Sequence, residues 1–289
     1  MQQPVDIFEH GDIAARLEAV SVKRAALPLR SLLILGLLGG IYIGFGGAFA
    51  TLALTDSQLG FGPAKLAAGG AFSLGLVLLV IAGGELFTGN NLMFAALASG
   101  EVSARALWRN WSVSYAANAA GALLLAGMIH HSGVLDGGGM KATAVKIAEA
   151  KAQLGFGSAF LRGLLCNMLV CLAVWLSLAA RSIEGKVLAI VFPITAFVAL
   201  GFEHCIANLY LIPVGVLSGA HITGPQFVGN VVAVTLGNTV GGAALAGAYW
   251  LALLRDGSAT AMSLRIRRMR TAAALRVACK MLRLAPRAR

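Results

Sequence analysis

Charged residues divide this chain into long apolar stretches of two kinds. Residues 31–55, 110–129 and 163–180 carry no Asp, Glu, Lys or Arg, and residues 222–254 form a longer run of the same sort. A helix needs about 20 apolar residues to cross a bilayer core of about 30 Å. The first two runs are therefore of span length, the third is slightly short, and the fourth holds a span plus part of a loop. Residues 66–100 are apolar apart from Glu85, and residues 187–220 apart from the Glu203-His204 pair. A straight helix of either length would reach about 50 Å. Each must tilt strongly, break, or hold two spans. Glycine and polar residues cluster near the middle of both, as GGELFTGN at 83–90 and GFEHCIANLYLIP at 201–213. Irregular backbone at membrane depth persists only where protein or a cavity shelters it, so a broken helix lining a protected cavity is the economical reading. The pattern predicts an all-α membrane protein of six transmembrane helices, the second and fifth broken.

The two halves resemble each other. Glu85 precedes an Asn118-x-x-Gly121 pair by 33 residues, and Glu203 precedes Asn238-x-x-Gly241 by 35. Three spans per half is odd, which makes the repeats inverted and puts the functional site at their interface near the midplane. In this layout Lys23, Arg24, Arg30, Arg105, Arg109, Arg181, Lys186 and Arg255 fall on one side, and Lys65, Lys141, Lys146 and Lys151 on the other. The heavier side is expected in the cytoplasm. Both termini are then inside and the chain is integral to the inner (cytoplasmic) membrane. The first 30 residues balance acidic and basic groups and lack an apolar core, so no signal peptide is expected there. The division is a cytoplasmic segment over 1–30, a transmembrane domain over 31–255 and a basic tail over 256–289.

Composition excludes the soluble alternatives. The chain is 58% hydrophobic and 12% charged, against roughly 45–50% and about 25% in soluble domains. The 36 glycines suit helices that pack closely in lipid. Net charge is +11, but nine of the basic residues follow Asp256, and the chain through residue 256 carries only 14 basic against 12 acidic. The excess is one C-terminal tail. Its apolar residues fall only loosely at helical spacing, which leaves a surface helix on anionic lipid and an unstructured basic segment both open. Nucleic-acid binding is not expected, because interleaved aromatics are missing. Cys166, Cys171, Cys205 and Cys279 have no C-x-x-C spacing and read as small apolar packing. No metal or cofactor is expected.

An ionisable residue inside a membrane costs roughly 2.5–3.5 kcal/mol on insertion scales, which makes Glu85, Glu203 and His204 the foremost candidates. For both glutamates the preferred reading is structural, a carboxylate capping backbone amides freed where the helix breaks. His204 is read as functional: histidine titrates near neutrality, and a neutral ring still offers one hydrogen bond to an anion's oxygen. Thr88, Asn90, Asn167 and Asn208 supply uncharged hydrogen bonds, interhelical ones being worth under about 2 kcal/mol each. Lys151, before the fourth span, is either a solvated flank or an attractor of anions at a pore mouth. Arg162, about one turn inside that span, is expected to snorkel outward.

Four stretches then resemble the formate/nitrite transporter family: GELFTGN at 84–90, NMLVCLAVWLSLAAR at 167–181, GFEHCIANLYLIP at 201–213 and GNTVGGAALAG at 237–247. The resemblance runs from about residue 24 to 254. It implies an aquaporin-like fold of six helices and a homopentamer, with a pore for formate, nitrite or a similar small monovalent anion in each protomer. It also implies that His204 is the central pore histidine with Thr88 and Asn167 as hydrogen-bonding neighbours, and that Lys151 draws anions into the external vestibule. Phe72, Leu76 and Phe197 would form apolar constrictions, with Leu86 and Phe87 in the break of the second span. Arg162, where leucine is usual, and the basic tail depart from the formate channels. The function expected is anion transport, alone or together with protons, with hydrosulfide, acetate or lactate as alternative cargo. An aquaporin-type channel for neutral solutes is the rival of another class, although no N-P-A repeat is present. A membrane enzyme using Glu203 and His204 is a distant third.

Overall fold

The computed structural model describes residues 7–255, so the expectation for the basic tail lies outside the described residues. Among them the chain is helical, and extended backbone pairs only at one isolated bridge, Ile7 with Ala180. Helix α1 (His10–Ala25) precedes α2 (Leu29–Leu54) and α3 (Phe61–Leu78), which ends in a π-helical turn at Leu79–Gly83. Short helices α4 (Phe87–Asn90) and α5 (Met93–Ala98) lead to α6 (Ala104–His131). After α7 (Met140–Ala152) come α8 (Phe156–Ala179), α9 (Ile183–Ala199), α10 (Cys205–Leu217) and α11 (Gly224–Tyr249), the last continued by a π-helical turn to Leu254.

Local chemistry sets several of these boundaries. Ser103 and Ser182 accept hydrogen bonds from the first turns of α6 and α9. Thr223 and Gln226 close a capping box at α11, with proline in the first turn. Among the described residues five helices are long and apolar enough to cross a membrane: α2, α3 with its π turn, α6, α8 and α11 with its π turn. The remaining apolar run, 187–220, is divided between α9 and α10, whose 17 and 13 residues each fall short of a bilayer core.

Glycine governs how the long helices meet. A Cβ on Gly40 or Gly121 would overlap the Asn118 or Leu37 carbonyl, so α2 and α6 touch backbone to backbone. Gly237 against Phe160 and Gly241 against Leu164 do the same for α8 and α11. The polarity is inverted relative to a soluble fold. Phe45, Phe49, Leu123, Leu124, Leu165 and Phe192 face outward, whereas Asn90, Asn110, Asn118, Asn167, Asn208, Asn230 and Asn238 are buried. Such an apolar exterior marks contact with lipid or a further chain. Alongside, α1 buries Ile13, Ala14 and Leu17 in a cluster with Leu92, Cys171 and Trp175.

Candidate functional site

Within each of the two over-long apolar runs the chain leaves helical geometry, and it does so in the same way. Gly83 (φ +94°) and Gly201 (φ +70°) adopt the left-handed conformation that side chains resist. Extended residues follow, with Leu86 at φ −125°, ψ 123° and His204 at φ −116°, ψ 117°. Helices then restart at Phe87 and Cys205. Each restart frees backbone groups that must be satisfied inside the protein.

Asparagines from the neighbouring long helices do this work. Asn118 accepts from the Phe87 amide at 2.9 Å and donates to the Glu85 and Gly36 carbonyls at 2.8 and 2.7 Å. Asn238 accepts from the Cys205 amide at 2.9 Å and donates to the Glu203 and Gly163 carbonyls at 3.0 and 2.7 Å. Backbone pairing is likewise repeated, with the Glu85 amide donating to Leu35 and the Glu203 amide to Arg162. This corrects the capping role expected of the glutamates: Asn118 and Asn238 hold the amides. Glu85 instead pairs with Arg24 at 3.2 Å and accepts from Asn90 at 2.7 Å. Glu203 takes the Lys151 ammonium on both oxygens at 3.0 Å and accepts from Asn208 at 2.7 Å. The physical reason is that a sequestered cation needs a carboxylate more than a neutral amide does. Asn110 and Asn230 complete the two networks, each bridging its partner asparagine at 2.8 Å to a carbonyl, of Arg24 and of Lys151 respectively.

Between the two breaks the symmetry fails, and the chemistry concentrates there. His204 occupies the position corresponding to Leu86. Its Nδ1 accepts from the Ala207 amide at 3.1 Å, capping α10, and its Nε2 lies 3.0 Å from the Thr88 hydroxyl of the opposite half. The accepting role of Nδ1 assigns the proton to Nε2, which donates to Thr88. The Thr88 hydroxyl hydrogen is then left to give elsewhere. Asn167 lies one step behind: its amide donates to the Thr88 carbonyl at 3.2 Å, to Asn91 at 2.8 Å and to the Asn238 carbonyl at 2.7 Å, and it makes no hydrogen bond to His204. All three of Thr88, Asn167 and His204 are buried.

Two cavities approach this pair from opposite ends. One, about 200 Å³, has Lys65, Lys151 and Arg162 among its walls and reaches Phe72, Phe197 and His204. The other, about 260 Å³, includes Arg24, Lys186, Leu79, Leu86 and Asn90. A void of about 10 Å³ lies between, bounded by Phe72, Leu76, Leu86, Phe197 and His204. That is room for about one water. Phe72 and Phe197 meet edge to face with ring centroids 5.5 Å apart. Phe87, grouped with Leu86 by the sequence, stands elsewhere: its ring packs edge-on against Trp111 and Tyr115. The extended backbone turns successive side chains to opposite sides, so Leu86 faces the void and Phe87 does not.

Arg24, Asn91, Asn110 and Asn230 were not singled out by the sequence. A signal was present, since Glu-x4-Asn, a second asparagine 20 or 22 residues on, and the Asn-x-x-Gly pair occur in the same order in both halves. The cation preceding each set is Arg24 in one half and Lys151 in the other, and that change of residue type conceals the match.

Residues 11–252 match the family model described as formate/nitrite transporter. An uncharacterized transporter of Bacillus subtilis is 39% identical over 239 residues, which cover 82% of this chain and 90% of that protein. A probable formate transporter of Methanothermobacter thermautotrophicus is 38% identical over 265 residues, 85% of this chain and 97% of the relative. Among solved structures, a pentameric formate channel with formate bound superposes with a TM-score of 0.72 at 38% identity, covering 78% of this chain and 98% of that one.

Proposed function

The chain belongs to the formate/nitrite transporter family, and from that premise we propose that it conducts small monovalent anions across the membrane, formate ahead of nitrite. One observation carries the reading: His204 faces the small void between two cavities and is hydrogen-bonded there to Thr88 of the other half. The relative named for formate transport and the neighbour solved with formate bound support formate as cargo. The neighbour's pentameric state supports a homopentamer with one route per protomer.

In this reading the membrane domain has six spans. The second comprises α3 with α4 and α5, the fifth α9 with α10, and the two halves are inverted repeats joined through α7. The matched hydrogen bonds of Asn118 and Asn238 support the repeat. The bias of Lys and Arg supports an inner-membrane protein with α1 and both termini in the cytoplasm. The cavity bearing Lys65, Lys151 and Arg162 is then the outer vestibule.

Conduction follows from solvation. A bare carboxylate cannot enter the apolar gap between Phe72, Phe197, Leu76 and Leu86 without losing many kcal/mol of hydration. His204 stands at that gap, with the Thr88 hydroxyl against its ring nitrogen. An arriving anion takes the Nε2–H that His204 gives to Thr88, or the Thr88 hydroxyl hydrogen. Because Nδ1 is held by the Ala207 amide, a second ring proton would require giving up the α10 cap. His204 therefore acts as a hydrogen-bond donor, and a proton that accompanies formate travels on formate itself.

Flux into proteoliposomes of the purified protein, compared for formate, nitrite and glycerol across about pH 5 to 8, tests this. Formate flux that rises toward acid, with glycerol at the empty-liposome level, is the expected result. Glycerol flux without anion flux refutes the chemistry while leaving the family intact. His204→Ala should steepen the dependence on acid, since only the neutral acid would still cross, and should reduce discrimination between formate and nitrite. An unchanged profile rejects the role of the ring.

A further inference from the structure

The outer vestibule holds three cations, yet they are not equivalent. Lys151 is bound on both carboxylate oxygens of Glu203, so the pair presents almost no net charge to an approaching ion. Among the described residues the ion pairs are Arg24–Glu85, Lys141–Asp136 and Lys151–Glu203, and neither Arg162 nor Lys65 takes part in one. The Arg162 side chain is exposed and its guanidinium reaches only the Gly201 carbonyl, at 3.5 Å. Lys65 lies 6.0 Å from the Phe61 ring centroid. Both line the vestibule whose floor is Phe197 and His204.

Internal symmetry indicates that this arginine is not needed for the fold. The Arg162 carbonyl receives the Glu203 amide as the Leu35 carbonyl receives the Glu85 amide. Leucine thus fills the corresponding place in the other half, with the same backbone partner. A cation at this position adds charge to one mouth, and its contact with the scaffold is one 3.5 Å hydrogen bond to the Gly201 carbonyl.

We propose that Arg162, assisted by Lys65, adds to the charge that draws anions into the outer vestibule, beyond what Lys151 supplies while it is paired with Glu203. The inference rests on the anion-channel reading above and assigns the recruiting residues of that same route. Steering by exposed charge acts over the Debye length, about 30 Å at 0.01 M salt and about 3 Å at 1 M. Its signature is a rate effect that high salt removes.

The test is initial formate influx at subsaturating concentration into liposomes of neutral phosphatidylcholine. Ionic strength is raised with a salt of a large impermeant anion, and wild type, Arg162→Leu, Arg162→Lys and Lys65→Gln are compared. At about 0.01 M salt Arg162→Leu should lose about three- to tenfold in rate, Lys65→Gln less, and Arg162→Lys little. At about 1 M salt all four should converge. An Arg162→Leu rate equal to wild type at low salt overturns the proposal, as does a loss of equal size at both salt concentrations. Melting temperature guards against misfolding, and because Arg162→Lys keeps the charge, its failure to preserve the rate also counts against steering. Wild-type liposomes without anion flux at either salt would instead remove the function reading itself.

Discussion

Lys151→Met, Glu203→Gln and the double variant form a cycle that measures the structural role of this pair. The ammonium sits 3.0 Å from both carboxylate oxygens, and the side chains are 16% and 4% exposed. Removing one partner of a buried pair destabilises by about 3–5 kcal/mol, whereas replacing both by uncharged groups is close to neutral. The two single losses should differ. Lys151→Met strands a carboxylate that keeps only the Asn208 bond, so its loss belongs near the upper end, about 4 kcal/mol. Glu203→Gln leaves an ammonium that can turn into the water of the 200 Å³ vestibule, and about 2 kcal/mol is expected. The double variant should lose about 1 kcal/mol through imperfect packing alone. The coupling is then about 5 kcal/mol, far above the 0.5–3 kcal/mol common for neighbouring residues. Thermal unfolding in neutral detergent at one scan rate reads it, with each kcal/mol moving Tm by about 2–4 °C for a large domain. Single losses that add to the double within about 0.5 kcal/mol would refute the reasoning. A Glu203→Gln variant less stable than Lys151→Met would refute the part that depends on exposure.

Thr88→Val keeps the shape of the side chain but removes the hydroxyl that His204 meets at 3.0 Å. Stability should fall by only about 1 kcal/mol, while formate flux falls about tenfold; equal flux would mean that the hydroxyl takes no part in passage. Glu18, on α1, has its pKa raised by burial first, opposed by a hydrogen bond with Ser99 and reinforced by the charge of Glu101. A carboxyl raised in the docked state stabilises docking below its ordinary pKa and loses that contribution as pH rises through the raised value. Glu18→Gln should therefore bring hydrogen-exchange protection of α1 at neutral pH up to its acid level, corrected for intrinsic rate; protection that still declines with pH would assign the effect to another group.

Much of the fold was legible because a membrane imposes a single length scale on a sequence. Charge-free runs near 20 residues declared spans, and residues 66–100 and 187–220 were too long for one straight helix. Gly83 belongs to a glycine pair and Gly201 heads a polar cluster, and their left-handed conformations end the helices there. Glu85, Glu203 and His204 stood out because ionisable groups are rare at that depth. Their division of labour was not legible. Whether a carboxylate caps an amide or binds a cation depends on what the next helix presents, and the residues concerned, Arg24 with Glu85 and Lys151 with Glu203, lie 61 and 52 positions apart.

The sequence by itself determined that the chain is a helical membrane protein, that its two over-long apolar runs carry a glycine and polar cluster at 83–90 and at 201–213, and that polar chemistry gathers there. Only the tertiary structure decided which asparagine holds which amide, that His204 meets Thr88 across the two halves, that Phe87 turns from the void while Leu86 faces it, and that Lys151 is neutralised where Arg162 is not. The reason is that hydrophobicity and backbone conformation are properties of one segment and can be read along it. Hydrogen-bond pairing and local charge are properties of segments brought together, and they exist only once α6 has packed on α2 and α11 on α8.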